Sequence, residues 1–234
     1  MAVFEFRQFS VDDHRCGMKI SSDAVLFGAW FFSHIKGKTI LDIGTGSGIL
    51  ALMAAQECPE ASITAVEIDH DAARAANGNF SASPWASRLR AVCADINDFT
   101  PSVRPDIIIS NPPYFTSGIK SDNIARAGAR HAATLDYAVL TDHAGRWLAP
   151  EGHLGLISPA EYEDEIIYRG SLARLTPAHI CRVRTCKRKG PSRILWDFVL
   201  TSCKTIRSEL IIRDGASYTP EYLALVNPFY LRLN

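Results

Sequence analysis

"TILDIGTGSGIL" (Thr39–Leu50) decides the fold. Three apolar residues, Ile40, Leu41 and Ile43, lead into a turn of alternating glycines, and an apolar helix-forming run follows at once. A buried strand that ends in glycines and opens a helix is the first half of a βαβ unit. The same rhythm continues downstream. Strands are expected at Thr39–Gly44, Ser62–Ile68, Leu89–Asp95, Asp106–Ser110 and His153–Ser158. Helices are expected at Ser47–Glu57, His70–Ser81, Leu135–Leu148 and Glu161–Leu175. The last third changes character: His179–Lys187 and Ile194–Ser202 read as two extended runs joined by "RKGPSR", a hairpin. The expected fold is α/β: a doubly wound, mostly parallel, seven-stranded sheet ending in an antiparallel hairpin. One domain over 1–234 accommodates this, with an N-terminal flap (1–37), a core (38–203) and a C-terminal extension (204–234).

Bulk properties narrow the classes. The 234 residues suit one α/β domain, and 47 % hydrophobic residues fill its core. The net charge is zero, so an anionic partner must be met by a local basic patch. The six cysteines form no C-x-x-C pair and have poor zinc spacing, so no metal site is expected. Scattered thiols of this kind fit reduced core residues of a cytoplasmic protein. The N-terminus lacks an apolar signal core, and no run approaches the ~18 apolar residues of a membrane span. A soluble monomer is the expectation.

The glycine loop, Asp42–Gly48, permits close approach of backbone to a ligand through Gly44, Gly46 and Gly48. A dinucleotide loop is the competing reading, but it needs a small residue where Ile49 stands. An acid at Asp42 also suits a cationic group better than a pyrophosphate. Asp followed by G-x-G-x-G resembles the S-adenosylmethionine loop of class I methyltransferases. Glu67 ends the next strand, placed to accept ribose hydroxyls, and Asp95 ends the third, placed to accept the adenine amino group. The bland alternative makes these acids helix N-caps. Asp69 is the better cap candidate.

"SNPPYF" (Ser110–Phe115) then breaks the apolar run "DIII". A conjugated amino group has a delocalised, poorly nucleophilic lone pair. The Asn111 side-chain oxygen and the Pro112 carbonyl are suited to accept its two N–H bonds and aim that lone pair. Pro112 and Pro113 stiffen the turn and remove a competing amide donor. Tyr114 is suited to stack on a flat base. A plain strand-ending turn is the alternative.

Taken together, "RQFSVDDHRCGMKISSDAVLFGAW" (Arg7–Trp30), "LDIGTGSGILALMAAQ" (Leu41–Gln56), "DIIISNPPYF" (Asp106–Phe115) and "YTPEYLALVNPFYL" (Tyr218–Leu231) resemble the bacterial valine-tRNA adenine-N6 methyltransferases. That resemblance implies S-adenosylmethionine as cofactor and a tRNA substrate methylated at the adenosine just 3′ of the anticodon. It also implies that Lys19, Ser22 and Asp23 lie over the methionine end; the family more usually has Thr where Ser22 stands. The basic hairpin carries Arg182, Arg184, Lys187, Arg188, Lys189 and Arg193, and its middle matches the family less well. Arg184, Lys187, Arg188 and Lys189, with Arg126 and Arg130 after the Asn-Pro-Pro-Tyr stretch, are the expected RNA contacts. Other functions stay open at this point: a protein glutamine-N5 methyltransferase, a non-catalytic RNA-binding protein and a nicotinamide oxidoreductase.

Overall fold

The computed structural model describes residues 3–14, 16–17, 19–113 and 136–232. In chain order the elements are β1 (Val3–Glu5), β2 (Ser10–Asp12), α1 (Ser22–His34), β3 (Thr39–Ile43), α2 (Ile49–Glu57), β4 (Ser62–Glu67), α3 (His70–Ala82), β5 (Leu89–Cys93), β6 (Ile107–Ser110), α4 (Tyr137–Trp147), β7 (His153–Pro159), α5 (Glu163–Leu172), β8 (Thr176–Cys186), β9 (Arg193–Val199), β10 (Ile206–Asp214), β11 (Ser217–Tyr218) and α6 (Pro220–Val226).

The sheet runs β11-β10-β8-β9-β7-β6-β3-β4-β5. Strands β5, β4, β3, β6 and β7 are mutually parallel. β9 is antiparallel to both β7 and β8, which is the expected hairpin. The seven expected strands are these, and β10 and β11 extend the sheet beyond β8. β10 pairs in parallel with β8, from Ile206 opposite His179 to Arg213 opposite Cys186. The segment after residue 203 is therefore part of the sheet rather than an appendage to it.

Both sheet faces are covered, which explains the unbroken apolar strands. In β6, Ile107 and Ile109 face one core and Ile108 the other, and all three are fully buried. The first core lies under α1, α2, α3 and α6; the second lies under α4 and α5.

Helix α1 corrects the expected flap. Its nine residues Ala24 to Phe32 are all buried, and it packs on α2 and β7. A helix apolar on every side belongs inside a protein. Gly155 of β7 makes room for it: a Cβ there would stand 2.6 Å from the Phe31 ring. Ser21 caps its start, accepting the N–H of Ala24 at 3.2 Å. Among the described strands, only β1 and β2 lie outside the main sheet. Asn79 holds their hairpin down, accepting from the N–H of Asp12 at 2.9 Å and donating to the Asp12 carbonyl at 3.0 Å.

Smaller differences have local causes. The long helix expected over Glu161–Leu175 divides into a 3-10 turn and α5, which stops where Arg174 takes φ 62°. Asp69 does cap α3, accepting the Ala72 N–H at 2.7 Å. Among the cysteines, Cys16, Cys58 and Cys181 are buried, whereas Cys93 and Cys203 are exposed; all six are free thiols. No helix among the described residues is long and apolar enough to cross a membrane.

Phe31 tests whether the N-terminal segment is core. Phe31→Ala should lower unfolding stability by about 3–5 kcal/mol in urea titrations, whereas a dispensable flap would leave the midpoint unchanged.

Candidate active site

The sheet order reverses between β3 and β6, and open α/β sheets bind ligands in the crevice at such a point. The chain arranges both rims there. Asp42 sits opposite Ile109 in the ladder, so the glycine loop after β3 and the Asn-Pro-Pro turn after β6 leave the sheet side by side. Buried Ser110 locks them: its hydroxyl donates to the Ile43 carbonyl at 2.8 Å.

Gly44, Gly46 and Gly48 all take positive φ, the region that favours glycine. Gly48 caps α2 at φ 87°, and a Cβ there would meet Phe80 at 2.5 Å. Gly46 has φ 55° and nothing within 4 Å of where its Cβ would lie, so its backbone is open to a ligand. Gly44 and Thr45 donate to the Val66 carbonyl at 2.8 and 3.2 Å, folding the loop across the end of β4. Glu67 completes the brace: one carboxylate oxygen accepts the Gly46 N–H at 2.8 Å and the other the Asp69 N–H at 3.0 Å.

A cleft of about 250 Å³ opens between these rims. Of the residues singled out from sequence, Lys19, Asp23, Gly44, Gly46, Asn111, Pro112 and Pro113 line it. Lys19 donates to the Asp13 carbonyl at 2.7 Å, and Asp23 accepts from Arg193 at 2.8 Å. Ser22 instead lines a neighbouring groove. Asp95 lies outside the cleft lining and binds the backbone and side chain of Asn97 at 2.8 and 3.0 Å. None of Asp42, Glu67 and Asp95 is a helix cap. Tyr114, Arg126 and Arg130 lie outside the described residues.

Asp42 lies beneath the loop rather than in the cleft wall. It is 1 % exposed; one oxygen accepts the Thr45 hydroxyl at 2.5 Å, and the other has no hydrogen-bond partner among the described residues. Burial pushes its pKa up to about 7, against the opposing pull of the Thr45 hydroxyl.

Several contributors escape the sequence pattern. Buried Asn79 donates to the Ser47 carbonyl at 2.9 Å, tying the glycine loop to the N-terminal hairpin it also holds. The one legible sign is a polar residue on the otherwise apolar inner face of α3. Ser110 and Thr45 look like ordinary loop residues in sequence. Arg193 belongs by sequence to the basic hairpin, yet it reaches Asp23 at the cleft.

The hairpin itself divides. Arg184 is internal bracing: it donates to the carbonyls of Lys189 and Lys187, each at 2.6 Å, and pairs with Glu209. Lys187 pairs with Asp214 at 2.9 Å. Arg182 pairs with Glu163. Arg188 and Lys189 are exposed. No group of three or more His, Cys, Asp or Glu among the described residues is placed to hold a metal ion.

This sheet order, with a glycine loop after β3 and an acid ending β4, defines a class I S-adenosylmethionine-dependent methyltransferase fold. A protein from Agrobacterium tumefaciens described as a predicted O-methyltransferase superposes with a TM-score of 0.68 at 21 % identity, covering 88 % of this chain and 96 % of its own. A glycopeptide N-methyltransferase solved with S-adenosylmethionine superposes with a TM-score of 0.56 at 12 % identity, covering 80 % and 98 %. The methyltransferase small domain family matches residues 28–163. Proteins named tRNA1(Val) (adenine(37)-N6)-methyltransferase are similar along the whole chain. The one from Tolumonas auensis is 40 % identical, covering 99 % of this chain and 98 % of its own. The one from Photobacterium profundum is 42 % identical, covering 98 % of each. The chain belongs to the tRNA1(Val) (adenine(37)-N6)-methyltransferase family.

Asp42 carries a pH signature. Its folded-state pKa lies above its unfolded value, so its contribution to stability is full below about pH 4 and is lost as pH rises through about 7. Asp42→Asn should therefore gain stability relative to the parent as pH goes from 5 to 8 in ligand-free protein. Paired urea titrations at the two pH values check this; a parent-to-variant difference independent of pH would mean that Asp42 is already ionised at pH 5.

Proposed function

We propose that this chain transfers a methyl group from S-adenosylmethionine to the exocyclic N6 of adenosine 37 in a valine tRNA, acting as a monomer in the cytoplasm, with 1–234 working as one domain. One observation carries the chemistry: Gly46 and Asn111 face a single cleft across the β3–β6 switch point. The substrate reading rests on the relatives that span the chain end to end and carry tRNA names. The glutamine-amide alternative draws on the same Asn-Pro-Pro turn, whereas the relatives that span this chain end to end carry tRNA names.

The residues present fit the cofactor. The open space beside Gly46 suits a ligand pressed against backbone, and the Asp42 carboxyl buried beneath the loop suits a cationic end through its charge. Lys19 and Asp23 would hold the methionine end. Each Glu67 oxygen accepts one backbone N–H and keeps a lone pair for a ribose hydroxyl. Asp95, oriented by Asn97, would accept the adenine amino group. Bound S-adenosylmethionine supplies an electrophilic sulfonium methyl.

The chain's own part is orientation. The Asn111 side-chain oxygen and the Pro112 carbonyl accept the two N–H bonds of the target amino group. This turns its lone pair out of conjugation and aims it along the line of transfer. The same acceptors stabilise the positive charge that develops on nitrogen. The methylated nitrogen then holds a strongly acidic proton, which needs no strong base. Ser110 holds the turn at its working distance from the loop, because its hydroxyl is bonded to the Ile43 carbonyl.

Nucleoside mass spectrometry of tRNA incubated with isotope-labelled S-adenosylmethionine should yield N6-methyladenosine; labelled protein glutamine without labelled adenosine would move the function to the amide reading. In the same assay Asn111→Ala should keep cofactor affinity and lose turnover by about 10²–10³-fold. Glu67→Ala should weaken cofactor binding by about 1.5–3 kcal/mol in calorimetric titration.

For the RNA path, we assign phosphate binding to Arg188 and Lys189, since Arg184 and Lys187 are engaged within the protein. Neutralising Arg188 and Lys189 together should flatten the salt dependence of tRNA binding by roughly one unit of slope for each phosphate that the pair neutralises. Neutralising Lys187 alone should change it less. Equal slopes for the double variant and the parent would place the RNA elsewhere.

A further inference from the structure

The C-terminal segment builds an aromatic groove that the mechanism above does not use. Tyr218 of β11 and Tyr222 of α6 stack with ring centres 5.0 Å apart. The Arg213 guanidinium lies over the Tyr218 ring at 4.0 Å. Tyr230 meets Phe4 of β1 edge-on at 6.0 Å. With Arg232 these aromatic rings line a groove of about 310 Å³. Burying the tail accounts for Tyr222, which is 4 % exposed, but not for Phe4, which keeps 41 % of its surface in water, nor for exposed Arg232.

Position gives the groove its meaning. Its wall includes Ile20 and Ser21, which also line the cleft that holds Asn111. The groove therefore runs into the cleft around the start of α1. The nearest carboxylate on that helix, Asp23, is already paired with Arg193 at 2.8 Å, so it does not oppose a phosphate. Flat apolar rings interleaved with arginines suit a nucleobase and its phosphate. A base drawn into the cleft leaves its neighbour without a stacking partner, and the groove offers a replacement next door.

We propose that this groove is a stacking subsite for a nucleotide adjacent to the methylated adenosine, with the open Phe4 ring stacking on the base, the edge of the Tyr218 ring bordering it, and Arg232 contacting its phosphate. The proposal rests on the RNA-methyltransferase reading. The test uses the full-length protein and an anticodon stem-loop of valine tRNA, unmodified or with an abasic residue at each nucleotide flanking the target. Fluorescence anisotropy gives affinity and single-turnover assays give methylation. Phe4→Ala combined with Arg232→Ala should lower RNA affinity about tenfold. Cofactor affinity and melting temperature should stay at parental values. Tyr218→Leu should lower RNA affinity and Tyr218→Phe restore it. One abasic position should weaken the parent but add little further loss in the Phe4 and Arg232 double variant.

Parental RNA affinity in the double variant, while the parent methylates the stem-loop, would remove the subsite and leave the enzyme's function standing. So would an abasic penalty of equal size in variant and parent. A parent that dimerises through Phe4 and Tyr218, with RNA affinity untouched by their substitution, would make the groove a self-interface. An RNA that the parent neither binds nor methylates would remove the functional reading and the subsite together.

Discussion

The hydroxyl of Ser110 and the carbonyl of Ile43, 2.8 Å apart and fully enclosed, fix the relation on which the chemistry depends. One partner ends β6 just before Asn111, and the other ends β3 just before Gly44. Parallel strands converge at the switch point, but ladder pairing alone leaves the loops beyond their ends free to splay. A buried hydrogen bond of this kind resists that motion, because breaking it would strand both groups away from water. Methyl transfer tolerates little error in the approach of nitrogen to carbon, so the reaction requires a rigid link between cofactor rim and acceptor rim.

Rigidity reaches further through polar residues that serve two elements each. Asn79 divides its amide between the glycine loop and the N-terminal hairpin. Arg193 joins the loop end of the β8–β9 hairpin to the start of α1 beside the cleft. The first core then packs α1, α2, α3 and α6 against one sheet face as a single body. The consequence is that the N-terminal segment, through Lys19, Ile20, Ser21, Asp23 and Ala24, lines the cleft beside the glycine loop.

Much of this was legible in the residues. Strands buried on both faces read as unbroken apolar runs, and the alternating glycines marked a turn tight enough to fit between β3 and α2. Asn111 and the prolines stood out because their stiffness contradicts the run before them. What was hidden follows a physical pattern. β10 carries Arg207, Glu209 and Arg213 and buries only Leu210, so its alternation is faint until β8 supplies a partner. α1 lacks a polar stripe, which reads as a loose apolar segment until Gly155 is seen to admit Phe31. Arg184 reads as an RNA contact because composition cannot distinguish a guanidinium facing solvent from one bonded to its own turn. Hydrogen bonds between distant positions, such as Ser110 to Ile43, leave no local mark.

Asp42 shows why the buried acid and the open loop belong together. A carboxylate so deeply enclosed is costly when charged, and the Thr45 hydroxyl and the Ala51 backbone N–H offset only part of that cost. The remaining penalty would be removed by positive charge nearby, which the ammonium and sulfonium of the methyl donor would supply in the proposed complex. On the proposed reading, negative potential under the loop would favour the donor over neutral analogues without presenting a carboxylate at the reacting centre, where it would compete for the target amino group. In the proposed mechanism the neutral, hydrogen-bonding acceptors Asn111 and Pro112, which line the cleft, hold that nitrogen. Charge beneath the loop and neutral acceptors across the cleft divide binding from orientation, and the β3–β6 junction holds the two at a fixed separation.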